Sequence, residues 1–188
     1  YPTVKLSDLK ERTQLVSSFS TVYNSSLAPR KNNIALAAKY IGYKVLKSGE
    51  EFSFNEIVGK RSEERGFSSA KVIENGKFTE GVGGGVCQVS STVYASALSA
   101  GLKITERRNH SLLVGYTEPS FDAMVSSASD LKFVNPYPVP VIIVVDADGC
   151  RVRARVYGEK TGAVYKLASE VSEYIEPPEE QIIETYDL

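Results

Sequence analysis

Gly83-Gly84-Gly85-Val86-Cys87-Gln88-Val89-Ser90-Ser91-Thr92 constrains this chain more than any other stretch. A glycine loses more backbone freedom on folding than any other residue, so three in succession are costly to order. Directly after them the pattern turns helical. Val89, Val93, Ala97 and Ala100 share a face and Gly101 supplies a stop, so a helix is expected over 88–100. The chain thus places bare backbone in front of a helix, with a cysteine at the junction. The first N–H groups of a helix lack internal partners and carry partial positive charge. Thiols in such surroundings ionise more readily, with pKa values falling from about 8.5 into the range ~3.5–7.5. On this reading Gly83, Gly84 and Gly85 let a substrate approach, and the N–H groups of Gly84, Gly85 and Cys87 receive an oxyanion. Gln88 adds a side-chain amide donor, and Ser90 lines the same substrate site. The structural alternative is a plain turn followed by a cysteine buried as a small hydrophobe. No Lys-Ser or Lys-Thr follows the glycines, so the phosphate-binding Walker pattern is absent.

Patterning on either side predicts a mixed α+β fold: a mainly antiparallel sheet with a central helix carrying the cysteine at its N-terminus. Strands are expected at 15–23, 43–46, 51–54, 103–107, 111–116 and 130–134. A helix is expected over 29–41, opened by Pro29 and closed by Gly42. Residues 55–67 read as a loop with one helical turn. Asn75-Gly76 between 71–74 and 77–79 signals a hairpin, and Asp148-Gly149 a second one joining 139–146 to 150–157. The Val-Ile-Ile-Val-Val run of that second hairpin reads as a central core strand. Residues 1–14 form a lead-in segment and 15–158 the domain proper. Residues 159–188, acidic and holding Pro177-Pro178, read as an extended strand and a linker toward a further C-terminal module.

The 188 residues carry 22 Lys and Arg against 23 Asp and Glu, a net charge of -1, so no global basic field gathers nucleic acid. No apolar stretch reaches the roughly 18 residues of a membrane span. Two cysteines, Cys87 and Cys150, make no disulfide framework, and with a single histidine they give no metal-ligand spacing. Neither a cofactor nor a metal is expected.

That single histidine, His110, leaves one possible imidazole base for Cys87. It follows the helix and opens an expected strand, the chain order of papain-like thiol enzymes. The alternative is a histidine with an ordinary structural role. A third group to orient it comes from Asp122, Asp130 or Asn135. Asp122 is preferred because Phe121 and Ala123 flank it, while a turn-capping aspartate is the other reading. Arg61 and the Arg107-Arg108 pair are candidates to hold a substrate carboxylate in a bidentate fork, with Arg61 and Arg108 preferred, and solvated surface charge is the other reading. Cys150, beside the Asp148-Gly149 turn, reads as structural.

The stretches from Gly49 to Phe67, from Gly76 to Leu98, from Asn109 to Tyr116, Phe121 to Val125 and Asp130 to Asn135 resemble the VanW family, with the likeness running over about 12–158. The resemblance implies a cell-envelope domain of a Gram-positive bacterium, held on the outer face of the membrane or in the wall. An anchor preceding the domain and a wall-associated module following it are part of that expectation. It implies peptidoglycan stem peptides as partners and antibiotic resistance as the setting. Some members act as L,D-transpeptidases, which places the nucleophile at Cys87, the base at His110 and the orienting carboxylate at Asp122. Family members often carry Gly-Leu-Asp where this chain has Ser120-Phe121-Asp122, which keeps the carboxylate. The expected activity is a cysteine acyltransferase making 3–3 cross-links through a thioacyl-enzyme. The alternatives are a non-catalytic peptidoglycan-binding or scaffold module, or a cysteine peptidase or amidase acting on stem peptides.

Overall fold

The alternation of Val141, Ile143 and Val145 with half-buried neighbours, and of Val152, Ala154 and Val156 with Arg151, Arg153 and Arg155, gives one hairpin an apolar face and a charged face. In the computed structural model this hairpin, β8 (Val141–Ala147) and β9 (Arg151–Gly158), is the middle of the main sheet. The model describes residues 13–176 except 75, 161, 164 and 174. β1 (Gln14–Val22) pairs with β9 and β2 (Tyr43–Leu46) pairs with β8, both antiparallel, for an order β1-β9-β8-β2.

Two helices cover the apolar face. α1 (Ala28–Ile41) has Pro29 in its first turn and buries Ile34, Ala37, Ala38 and Ile41. It stops at Gly42, at φ +51°, whose N–H returns to Ala38 O at 2.8 Å. α3 (Val86–Ser99) is buried from Gln88 to Ala97. Such a helix normally reads as apolar all round, yet this one holds Ser90, Ser91, Thr92 and Ser96, each at or below 1% exposure. Their hydroxyls have protein partners, as buried polar groups require. Thr92 pairs with Thr21 at 2.8 Å and Ser96 with Ser17 at 3.0 Å, so hydroxyl pairs tie α3 to β1.

A second antiparallel sheet contains β3 (Glu51–Ser53), β7 (Lys132–Val134) and β6 (Lys103–Glu106), in the order β3-β7-β6. Phe52 and Phe133 stack across it with ring centroids 4.5 Å apart. α2 (Phe54–Val58) follows β3 directly, capped by Ser53 Oγ accepting from the Glu56 N–H. Among the described residues β4 (Ser69–Glu74) and β5 (Lys77–Val82) pair only with each other. Glu74 stands opposite Lys77, the two-residue connection expected of Asn-Gly, and Gly76 takes φ +73°. Asn75 itself lies outside the described residues.

The fold is thus mixed α+β with antiparallel sheets, as expected, and three expectations are corrected. The helix starts at Val86, so Cys87 is its second residue instead of standing ahead of it. Residues 111–116 form no strand. Their apolar side chains line cavities, and Leu113 is 83% exposed, so no sheet is built on them. The described residues after Gly158 hold no strand either. The lead-in segment up to Arg12, and the end of the acidic tail from 177 onward, lie outside the described residues.

Candidate functional site

The glycine run is the pivot between the β4–β5 hairpin and α3. Gly83 and Gly85 take φ +92° and +105°, values open to glycine at no steric cost. Gly84 is fixed by space: a Cβ there would lie 2.6 Å from Lys71 O and 2.8 Å from Ala70 C, both backbone atoms. Asn33, fully buried on α1, donates to Gly84 O and Ser68 O, each at 2.9 Å. The triplet therefore packs hairpin, α1 and α3 together. Its N–H groups are not equally free. Gly83 N–H goes to Ser68 O at 3.1 Å, whereas among the described residues no carbonyl takes the N–H of Gly84, Gly85 or Cys87.

Between the hairpin, the start of α3 and the 107–127 loop lies a cleft of about 950 Å³. Cys87 and His110 line it together, although 23 positions separate them. Cys87 is half-buried, with Sγ 3.4 Å from Val125 O. The loop reaches α3 through two serines. Ser90 Oγ donates to Ala123 O at 2.6 Å, and Ser91 Oγ accepts the Ala123 N–H at 2.9 Å while donating to Cys87 O at 2.7 Å. This clasp holds Asp122, the residue before Ala123, at the cleft's edge.

Asp122 faces His110 twice. Its Oδ2 accepts the His110 backbone N–H at 2.7 Å and stands 2.6 Å from Nδ1. Arg107 holds the other oxygen, Nη2 to Oδ1 at 3.0 Å, and donates from Nε to Asp122 O at 2.8 Å. With Nδ1 engaged, Nε2 is left for Cys87. Burial is the largest single influence on the imidazole and lowers its pKa. The hydrogen bonds with Asp122 and Cys87, and the charges of both, outweigh it and raise the value from 6.5 to about 9. Burial pushes the Asp122 carboxyl up, but the bonds and charge of His110, with Arg107, hold it below its usual 3.8.

The structure sorts the other sequence candidates. Arg61 lines the cleft; Arg108 does not, and its neighbour Arg107 is the one that reaches Asp122. Gln88 is 1% exposed and gives both amide N–H groups away, to Thr21 Oγ1 and Val22 O at 3.0 Å each, so it has no donor for a bound carbonyl. Ser90 is fully buried and works as the clasp just described, outside the cleft lining. Asp130 accepts from Ser53 Oγ and from the N–H groups of Asn55 and Leu131, holding the second sheet to α2. Asn135 ties Leu46 O to Val139 O. Cys150 is an exposed free thiol at the β8–β9 turn. Arg30 and Tyr116, which also line the cleft, were missed. Arg30 precedes the apolar positions from which its helix was read, and Tyr116 sits in a segment that read as strand.

Fold and cleft define a class: an α+β domain with a Cys–His–Asp row beneath a glycine-linked hairpin. The chain belongs to the VanW family, whose profile, described as VanW like protein, matches residues 29–157. It is 42% identical over 147 residues to the uncharacterized protein YoaR of Bacillus subtilis, covering 78% of this chain and 46% of YoaR. It is 30% identical over 151 residues to the vancomycin B-type resistance protein VanW of Enterococcus faecalis, covering 76% of this chain and 54% of VanW. The chain thus spans about half the length of these two relatives. No solved structure matches it. Among the described residues no helix is long and apolar enough to cross a membrane.

Proposed function

We propose that this domain is a cysteine acyltransferase that works in the cell envelope on peptidoglycan stem peptides and forms 3–3 cross-links. The observation that carries the reading is the row Cys87, His110, Asp122, with the imidazole bonded to the carboxylate through Nδ1 and influenced by the thiol on its other side. The envelope setting is supported by membership of the family and by a relative named for vancomycin resistance.

In the first half-reaction Cys87 Sγ attacks the carbonyl carbon of the third residue of a stem tetrapeptide. The thiol proton rests on His110, whose pKa raised to about 9 favours the protonated ring, as the S–C bond forms. The tetrahedral oxyanion faces the N–H groups of Gly84, Gly85 and Cys87. The C–N bond then breaks, and His110 Nε2 gives its proton to the departing D-alanine amine. In the second half a side-chain amine of a neighbouring stem attacks the thioester, its proton passes to His110, and the thiol is restored. Asp122 keeps the ring in one tautomer and stabilises the imidazolium, a role that needs no proton transfer of its own.

The test is intact-protein mass spectrometry with a purified stem tetrapeptide. The expected result is an adduct on Cys87 with release of D-alanine, and cross-linked dimers once an acceptor stem is added. Release of the D-alanine without dimers identifies water as the acceptor, which makes the domain a peptidase. A Cys87→Ala protein that still cross-links at full rate would end the proposal.

A further inference from the structure

Besides His110, the cationic side chains Arg30, Lys60, Arg61 and Lys71 line the cleft, and among the described lining residues there is no Asp or Glu. In a chain with 23 acidic residues and 22 basic ones that segregation is pronounced. Lys60 and Lys71 are exposed and solvated, whereas Arg30 and Arg61 are half-buried. Both guanidiniums have neutral partners alone. Arg30 Nη2 donates to Gln88 Oε1 at 2.8 Å and Arg61 Nη2 to Asn55 Oδ1 at 2.6 Å. Among the described residues neither forms an ion pair with a carboxylate. A partly desolvated charge whose direct hydrogen-bond partners are all neutral is costly, and here it occurs twice in one cleft.

The glycine run is shaped around these two side chains. A Cβ on Gly83 would lie 3.0 Å from Arg61 Cβ, and one on Gly85 3.0 Å from Arg30 Cγ. The arginines therefore lie on the triplet that leads into Cys87. Burial lowers the pKa of both, while the charges of Tyr116 and Cys87 act the other way on Arg30 and those of Cys87 and Asp130 on Arg61. The hairpin wall beside them is apolar: Val72, Ile73 and Phe78, the last 66% exposed. A ligand's anionic group is drawn to the two arginines and not to that wall.

We propose that Arg30 and Arg61 together form a carboxylate seat beside Cys87, so that the acyl donor carries a free carboxylate on the amino acid released by cleavage. This rests on the acyl-transfer reading and names its substrate class. In a terminal amino acid the carboxylate is two bonds from the scissile nitrogen. A seat built on the residues next to the nucleophile fits that short spacing. The donor is then a peptide cut one residue from its C-terminus, and a chain continuing past that residue has an amide where the seat requires charge. A planar guanidinium meets a carboxylate through two parallel N–H bonds, which a carboxamide cannot reproduce.

Binding separates this from the chemistry. A stem tetrapeptide ending in free D-alanine, and the same peptide ending in D-alanine carboxamide, are titrated calorimetrically into the Cys87→Ala protein, which cannot turn either over. The acid is expected to bind about 10- to 100-fold more tightly, the range of charge-assisted hydrogen bonds. That preference is expected to fall to about threefold or less when Arg30→Gln or Arg61→Gln is added, as lost bidentate contacts predict. Equal affinity for the two peptides, or no measurable binding of the acid, overturns the seat, and neither result depends on how the arginine variants fold. Thioester formation by the unaltered protein tests the other reading. Acid-selective binding without any adduct keeps the seat and rejects the acyltransferase. Equal adduct from acid and amide does the reverse.

Discussion

His110 is the residue through which the site can be measured, because it is the single histidine of the chain and its imidazole resonance needs no assignment. An NMR titration is expected to give a pKa of about 9, well above the ordinary 6.5. Cys87→Ala and Asp122→Asn are each expected to lower it, since the thiol and the carboxylate both favour the protonated ring. A ring titrating near its ordinary value in the unaltered protein would show that the row is not assembled. Arg107 acts one contact further out. Arg107→Met removes the ion pair at 3.0 Å and leaves Asp122, 7% exposed, with one cation fewer. Denaturant titration is expected to show a loss of about 1.5–3 kcal/mol, and kinetics a lower kcat with donor KM little changed. Cys87 and His110 were legible in the sequence because each is scarce and the glycine run marks the first. Asp122 could be preferred among three candidates from its apolar neighbours alone. The tie of Arg107 to Asp122 and the place of Arg30 were not legible, because each depends on a partner brought close by the fold: Asp122 from 15 positions away for the first, Gln88 from 58 for the second.

At the scale of elements the glycine run and α3 behave as one piece. Gly84→Ala presses a methyl against Lys71 O and Ala70 C, and since both are backbone neither yields by a rotamer change. An urea titration is expected to show a loss of about 1–3 kcal/mol, the cost of overpacking. Ser91→Ala removes the acceptor of the Ala123 N–H and a donor to Cys87 O. Its expected cost is about 1–3 kcal/mol, the penalty for a buried donor left unsatisfied. Donor acylation should slow as well, because the 122–125 segment is no longer clasped. Strong local patterns were readable: β2 occupies the expected residues, and both hairpins form where Asn-Gly and Asp-Gly predicted them. The 111–116 segment misled because a short apolar run such as Leu112-Leu113-Val114 looks the same whether it lines a sheet or a cavity, and only the neighbouring elements decide. The hydroxyls of α3 were equally ambiguous. Ser90 looked like a lining beside the nucleophile, and together with Ser91 it proves to be the fastening of a loop some 30 residues away.

For the molecule as a whole, the buried His110–Asp122 pair makes stability depend on pH. The His110 pKa is raised, so its contribution is complete below the unfolded value of 6.5 and disappears as pH rises through about 9. The Asp122 pKa is lowered, so its contribution is present above 3.8 and is lost as pH falls further. The stability difference between the unaltered protein and His110→Gln is therefore expected to be full near pH 6 and to close by about pH 10, by chemical denaturation at both. A difference that is the same at both pH values would mean that the charged imidazole adds nothing to the fold. The α+β class was readable from the sequence because the apolar alternation of β8 and β9 is strong. The arrangement of two sheets and a separate hairpin was not, since it depends on pairings between distant strands such as Gln14 with Gly158.

That separate hairpin forms one wall of the cleft. Among the described residues β4 and β5 share ladder bonds with no third strand, and they join the domain through the glycine pivot and the contact of β4 with α1. A two-stranded ribbon held this way opens at lower cost than a strand inside a four-stranded sheet. Its amides should exchange with deuterium sooner than those of β8 and β9, and a bound donor should slow them. The width of the entrance is then an adjustable dimension of this domain, set by how the ribbon leans and not by the sulfur beneath it.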